Sequence, residues 1–237
     1  MKEFYLEYYS LLTRILEFIA AITGILYYRK FKNTKVKYFV WFLIWVVIAE
    51  LIGGYTHYLR DLNLFHYIEG TLFEKNSWWF TLAWTTSSTL FYSWFLGVRL
   101  DSLFLKRVLK FSCAIYLAIL LWSLIFYFND FFKARPMPLV IGNIIIILLS
   151  SIFYLYETLN TDRILTFYKS IYFYVAAIIF VWWLISTPLS FFDVYNTTSD
   201  WDYVVLKWTV RLSVNTFMYL GFAVALIVTR PEYDKIA

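Results

Sequence analysis

Between Lys37 and Arg60 the chain reads KYFVWFLIWVVIAELIGGYTHYLR, an apolar run whose only internal charge is Glu50. A run of about 20 apolar residues is the length of a helix that crosses the hydrocarbon core of a bilayer. Similar runs recur along the chain. Together they predict seven spans, at about 8–28, 38–58, 78–98, 108–128, 138–156, 170–190 and 203–229. Composition agrees. The 237 residues are 62% hydrophobic and only 16% charged, where a soluble domain carries roughly 25% charge. The expected architecture is an all-α, seven-transmembrane-helix bundle. It forms a single domain over residues 1–237, in the bacterial inner (cell) membrane. The N-terminal MKEFYLEYYSLL lacks the basic leader of a signal peptide, so the first helix is expected to stay. Cys113 is the only cysteine, which excludes an internal disulfide and a cysteine metal site.

Orientation follows from the basic residues. Arg29, Lys30, Lys32, Lys35, Lys37, Arg99, Lys106, Arg107, Lys110, Arg163, Lys169, Arg230 and Lys235 fall on one side of the predicted bundle. Lys2, Arg60, Lys75, Lys133 and Arg135 fall on the other, and Arg14, Lys207 and Arg211 fall within spans. Cytoplasmic loops are the ones enriched in Lys and Arg. The N-terminus is therefore expected outside and the C-terminus inside. Basic residues set between apolar runs in this way signal orientation and not nucleic-acid binding. Trp78, Trp79, Trp201, Tyr58 and Tyr195 gather near the outer face, where aromatic rings anchor helix ends. The outer loop FFDVYNTTSDWD is acidic, with Asp193, Asp200 and Asp202. The run Arg29–Lys37 determines topology and is a candidate contact for anionic lipid.

Counting inward from the basic boundaries brings Glu17, Glu50, Thr86, Asn143 and Asn215 to one depth, roughly 18–22 Å from the inner boundary. Lys207, Arg211 and Asn215 share one face of the last helix at spacings i, i+4, i+8. A lone charged carboxylate at this depth costs roughly 2.5–3.5 kcal/mol on insertion scales. Cations nearby would relieve it. Arg14 lies three residues before Glu17 on the same helix and could form a structural ion pair with it. Arg211 is the expected counter-charge for Glu50. The candidate ligand- or ion-binding residues are thus Glu17, Glu50, Arg211, Asn215, Thr86 and Asn143. His57 and His66 stand near Asp61, Glu69 and Glu74, but their spacing matches no standard metal pattern. No metal and no cofactor are expected. Trp84, Trp182 and Trp183 could wall an aromatic pocket, and Gly53-Gly54 would let helices pack closely.

A faint repeat is visible. LYYRKFKNT (26–34) is echoed by FYLYETLNT (153–161), and Trp84-Thr85 and Leu96-Gly97 by Trp208-Thr209 and Leu220-Gly221. It would match helices 1–3 to helices 5–7 as a 3+1+3 parallel repeat. Glu17, the basic run and the segment Glu50-Leu51-Ile52-Gly53-Gly54-Tyr55 resemble a group of small, uncharacterised seven-helix bacterial membrane proteins. In topology alone the layout is similar to SWEET sugar transporters and PnuC vitamin transporters. It departs from the SWEET pattern in having no proline in helix 2 and only Pro188 in helix 6.

No HExxH, GxSxG, P-loop or GxGxxG motif is present, and no catalytic set is visible, so an enzyme is not expected. The leading functional expectation is a small-solute or ion transporter. The alternatives are a ligand-binding sensor or membrane subunit with a protein partner on the cytoplasmic side, and a homo-oligomeric pore. The orientation is testable in a bacterial inner membrane. A C-terminal green fluorescent protein fusion should fluoresce and a C-terminal alkaline phosphatase fusion should be inactive; the opposite pattern would invert the topology.

Overall fold

The computed structural model describes residues 2–192 and 201–232, with side chains from Tyr8 onward. Asp193, Tyr195, Asp200 and Lys235 of the expected loops, and the Lys2 side chain, lie outside the described residues. All regular structure among the described residues is helical. The long elements are α1 (Lys2–Phe31), α2 (Val36–Gly53), α6 (Leu103–Phe126), α8 (Met137–Leu159), α9 (Ile171–Phe192) and α10 (Trp201–Val228). The short ones are α3 (Tyr55–Asp61), α4 (Ser77–Trp79), α5 (Ser87–Gly97) and α7 (Phe128–Lys133).

Six helices among the described residues, not the expected seven, are long and apolar enough to cross a membrane. They are Tyr8–Phe31, Val36–Asp61, Leu103–Phe126, Met137–Leu159, Ile171–Phe192 and Trp201–Val228. The chain is thus built as a multi-pass membrane protein. Its outward surface fits, since large apolar side chains stand exposed along α6, among them Phe104, Phe111, Leu121, Trp122 and Ile125. In water such a surface would be an aggregation site; in lipid it is the proper solvent-facing side.

The segment that falls short is the third expected span, 78–98. It is helical over residues 77–97, but as α4, a π-helical stretch Phe80–Thr86 and α5 in succession. Its run of Thr85, Thr86, Ser87, Ser88 and Thr89 makes it polar, and its backbone changes register midway.

The described chain divides into two compact units, Met1–Ile44 with Tyr154–Ala237, and Trp45–Phe153. The boundary falls within α2 and within α8. This division does not follow the halves of the 3+1+3 repeat, because the first unit joins α1 to α9 and α10.

In the first unit α10 packs against both α1 and α9. Tyr9 stacks on Trp208, Glu17 meets Tyr219, and Lys30 meets Leu226 and Ile227. The partners advance together along both helices, so α1 and α10 run parallel. Against α9 the order reverses. Tyr203 pairs with Leu189, Asn215 with Trp182, and Gly221 with Ile178, so α9 and α10 are antiparallel. The fully buried rings of Phe39 and Phe222 meet edge to face at 5.1 Å in this unit's core.

In the second unit, α2 runs antiparallel to 77–97. Trp45 meets Ala83 and Ser87, Ala49 meets Trp79, and Gly53 meets Phe80. Helix α6 is antiparallel to the same segment, with Tyr116 beside Thr86, Cys113 beside Ser93 and Leu109 beside Gly97. Tyr116, Leu120, Phe131, Leu139 and Ile146 form the core, with Trp78, Leu82 and Phe132 against it.

Gly53 is where packing is tightest. A Cβ there would come within 2.5 Å of the Phe80 ring and 3.0 Å of Trp79. A Cβ at Gly97 would find Leu109 at an ordinary 3.6 Å. Gly53→Val should therefore cost about 1–3 kcal/mol, the usual range for overpacking. Gly97→Ala should be near neutral, and reversible unfolding in mixed micelles would compare the two.

Candidate functional site

The apolar spans carry two sets of polar side chains, one in each unit. In the first unit, the set lies on α1, α9 and α10. Glu17 is 5% exposed, and its Oε1 accepts a hydrogen bond from the Tyr219 hydroxyl at 3.1 Å. Helix α1 packs along α10, and this packing buries the Glu17 carboxylate. Arg14 is half-buried one turn earlier. On α10, Lys207, Arg211 and Asn215 are each half-buried. The Asn215 side-chain oxygen accepts from the Trp182 indole at 2.8 Å. Trp182 and Trp183 stand edge to face at 4.8 Å.

The expected depth layer set Glu17 level with Asn215, among others. Glu17 instead meets Tyr219, one turn further along α10. Sequence reasoning passed over Tyr219, although it extends the stripe 207, 211, 215 by a further four residues. Ser186 on α9 was also missed. Its hydroxyl is buried with no hydrogen-bond partner among the described residues. Two residues on, Pro188 sits within α9. Proline has no N–H, so the Leu184 carbonyl loses its regular helical donor.

In the second unit, the set lies on the π-helical segment, α5, α6 and α8. The Thr86 hydroxyl reaches back five residues to the Thr81 carbonyl at 2.8 Å. Thr81 and Thr89, by contrast, reach back four, to Ser77 and Thr85. The change from four to five is the π register written in side chains. A π turn disturbs the regular carbonyl-to-amide ladder, and side chains supply donors there. The Ala83 carbonyl accepts from Ser87 and from the Trp45 indole. The Thr85 carbonyl accepts from Ser88, Thr89 and the Asn143 amide.

Asn143 is 1% exposed, and its Nδ2 also donates to the Ser88 and Thr89 hydroxyls. Thr86, 8% exposed, meets the Tyr116 hydroxyl at 3.3 Å. Thus Asn143 and Thr86 each engage the segment 81–89. Of their partners, Ser88 and Thr89 belong to the polar run 85–89 visible in the sequence, whereas Tyr116 was not singled out. Glu50, half-buried on α2, belongs to this second unit, and its carbonyl accepts from the Gly54 amide at 3.0 Å. Arg211, its expected counter-charge, belongs to the first.

His57 and His66 are exposed, and the His66 ring meets the Asn63 carbonyl. Among the described residues no group of three or more His, Cys, Asp or Glu is placed to hold a metal ion. No protein-family model, curated protein or solved structure matches the chain.

Interhelical side-chain hydrogen bonds in membrane proteins average about 0.6 kcal/mol and reach about 1.7. Asn143 donates to three acceptors at once, so Asn143→Leu should cost about 1–2 kcal/mol. A double-mutant cycle with Thr89→Val, measured by unfolding in bicelles, should give a coupling of at least about 0.5 kcal/mol.

Proposed function

We propose that the chain is a seven-span transporter of a small polar solute or ion, with its N-terminus outside, and that Glu17 and Glu50 bind or couple that ion. The observation that carries this reading is the burial of the Glu17 carboxylate within a membrane-length helix, where it accepts a hydrogen bond from Tyr219. Intramembrane carboxylates are costly, and those that persist commonly mark ion and substrate pathways. The π-helical stretch in the second unit adds support. Irregular backbone at membrane depth is tolerated where protein or a cavity satisfies it, and transporters build their sites from such interrupted helices.

Parity supports seven spans in place of six. The C-terminal ends of α1 and α10 lie together through Lys30, and the Arg230 amide donates to the Lys169 carbonyl just before α9. The short connection 160–170 keeps the end of α8 near that start of α9. Helices α1, α8 and α10 therefore all end on one side. After α2 leaves that side, α8 must begin on the opposite one. An even number of crossings is needed between them. Helix α6 supplies one, and 77–97 supplies the other, at about 31 Å long if near α-helical rise. The side where α1, α8 and α10 end is the basic one, which favours assigning it to the cytoplasm.

Glu17→Gln separates transport from architecture. The amide keeps the shape and an acceptor oxygen for Tyr219 but removes the charge. Wild-type protein in proteoliposomes should dissipate an imposed proton or sodium gradient, read by an entrapped dye. The variant should be slower by about tenfold or more, the factor that about 1.4 kcal/mol in a barrier produces. Wild-type flux no faster than empty vesicles for either ion, together with no co-purifying small molecule in native mass spectrometry, would remove the proposal. Equal flux in wild type and variant would leave Glu17 as a structural tie.

A further inference from the structure

One end of the first unit collects charge that the polar set inside the spans does not use. Arg29 and Lys30 end α1, and Lys32, Lys35 and Lys37 lead into α2. Arg163 and Lys169 lie between α8 and α9, and Arg230 follows α10. Three bonds bring these segments together. Lys30 Nζ donates to the Leu226 and Ile227 carbonyls at 3.1 and 2.9 Å, and the Arg230 amide donates to the Lys169 carbonyl at 3.0 Å. Glu157, Asp162 and Glu232 are the described carboxylates of the same segments. Eight cations against three carboxylates leave an excess of five, which equals the formal net charge of the whole chain, +5.

The cations divide by role. Lys30 is spent on the α10 C-terminus, where a cation offsets both the orphan carbonyls and the helix dipole. Lys37 and Lys169 stand over the rings of Tyr38 and Tyr168 at 5.1 and 5.2 Å. Arg29, Lys32 and Arg230 are exposed. Apolar side chains are exposed beside them: Leu165 is 73% exposed and Tyr168 51%. A soluble surface of this kind would be unusual. At the end of membrane-spanning helices it matches the boundary between headgroups and acyl chains, with apolar groups inserted and cations at phosphate level.

We propose that this end of the first unit is a binding surface for anionic phospholipid headgroups, with Arg29, Lys32 and Arg230 meeting the phosphodiester and Leu165 and Tyr168 seated among the acyl chains. The ligand class is a phosphodiester carried on a lipid. Guanidinium groups recognise such oxygens in bidentate fashion, and juxtamembrane Lys and Arg are attracted to anionic leaflets. The surface rests on the multi-pass membrane reading, and its test does not depend on transport.

Native mass spectrometry of the detergent-purified full chain, titrated with phosphatidylglycerol or phosphatidylcholine, tests it. Wild type should retain phosphatidylglycerol adducts and shed phosphatidylcholine. The triple variant Arg29→Gln, Lys32→Gln, Arg230→Gln should bind phosphatidylglycerol about a hundredfold more weakly, from the contribution expected of three surface cations. Lys106→Gln, Arg107→Gln, Lys110→Gln, which removes as many charges from the second unit, should bind as wild type does. The conservative pair Arg29→Lys, Arg230→Lys should keep most of the affinity and shows that folding is not the cause. Excess inorganic phosphate should fail to displace the lipid; displacement would mean a site for free phosphate. Equal retention of both lipids, or equal loss in the two triple variants, would overturn the proposal.

Discussion

Every polar group inside an apolar span must find its partner within the protein, because hydrocarbon offers none. That constraint organises this chain at each level. At the lowest level it decides how Ser and Thr are used. Thr23, Ser123, Ser150, Ser151, Thr158, Thr209 and Thr229 each bond the carbonyl four residues back. A hydroxyl returned to its own helix lets an apolar span carry polar residues at little cost. At the next level it governs the segment 77–97. There the backbone departs from the α register, and Ser87, Ser88, Thr89, Trp45 and Asn143 bring donors to the carbonyls of Ala83 and Thr85. The polar residues that make this segment look unlike a span are the ones that make its irregular backbone tolerable.

The same requirement explains what could be read from the sequence. Apolar length and basic flanks are local properties, so the long helices were legible within a few residues at most ends. The third was legible as a helix, but its π stretch was not, because a change from four- to five-residue spacing leaves no compositional mark. The polar residues Glu17, Asn143 and Asn215 stood out singly, since each interrupts an apolar run, and Thr86 stood out within the polar run 85–89. Which residue meets which did not. Asn143 finds Thr89 and Ser88 across 54 and 55 residues, and Glu17 finds Tyr219 across 202. Depth counting assumed that residues equally far from a basic boundary are neighbours. It failed by one turn at Tyr219 because Glu17 stands twelve residues from Arg29 while Asn215 stands fifteen from Arg230, and a difference of three or four residues is a whole helical turn. The repeat suggested a division into sequence halves, whereas the compact units join the two ends of the chain through α1 and α10.

That joining has a consequence for how the first unit holds together. Two parallel helices from opposite ends of a chain have no short loop to fix their register. Three unlike contacts do it here. Tyr9 stacks on Trp208 at one end, Lys30 caps the final carbonyls of α10 at the other, and the Glu17–Tyr219 bond lies between. The end contacts are adaptable, since a ring stack and a lysine each tolerate sliding. The middle contact is the demanding one, because a buried carboxylate gives up several kcal/mol of hydration.

A structural tie alone does not need a carboxylate. A glutamine at 17 would accept the same hydrogen bond from Tyr219 and spare the cost of a buried charge. The register is also held at both ends, by the Tyr9–Trp208 stack and by the Lys30 cap on α10. An acidic group that is dispensable for packing and costly to bury is explained more economically by what it binds than by what it supports. The neighbouring α9 adds two polar features of its own, a Ser186 hydroxyl with no hydrogen-bond partner among the described residues and a Leu184 carbonyl deprived of its helical donor by Pro188.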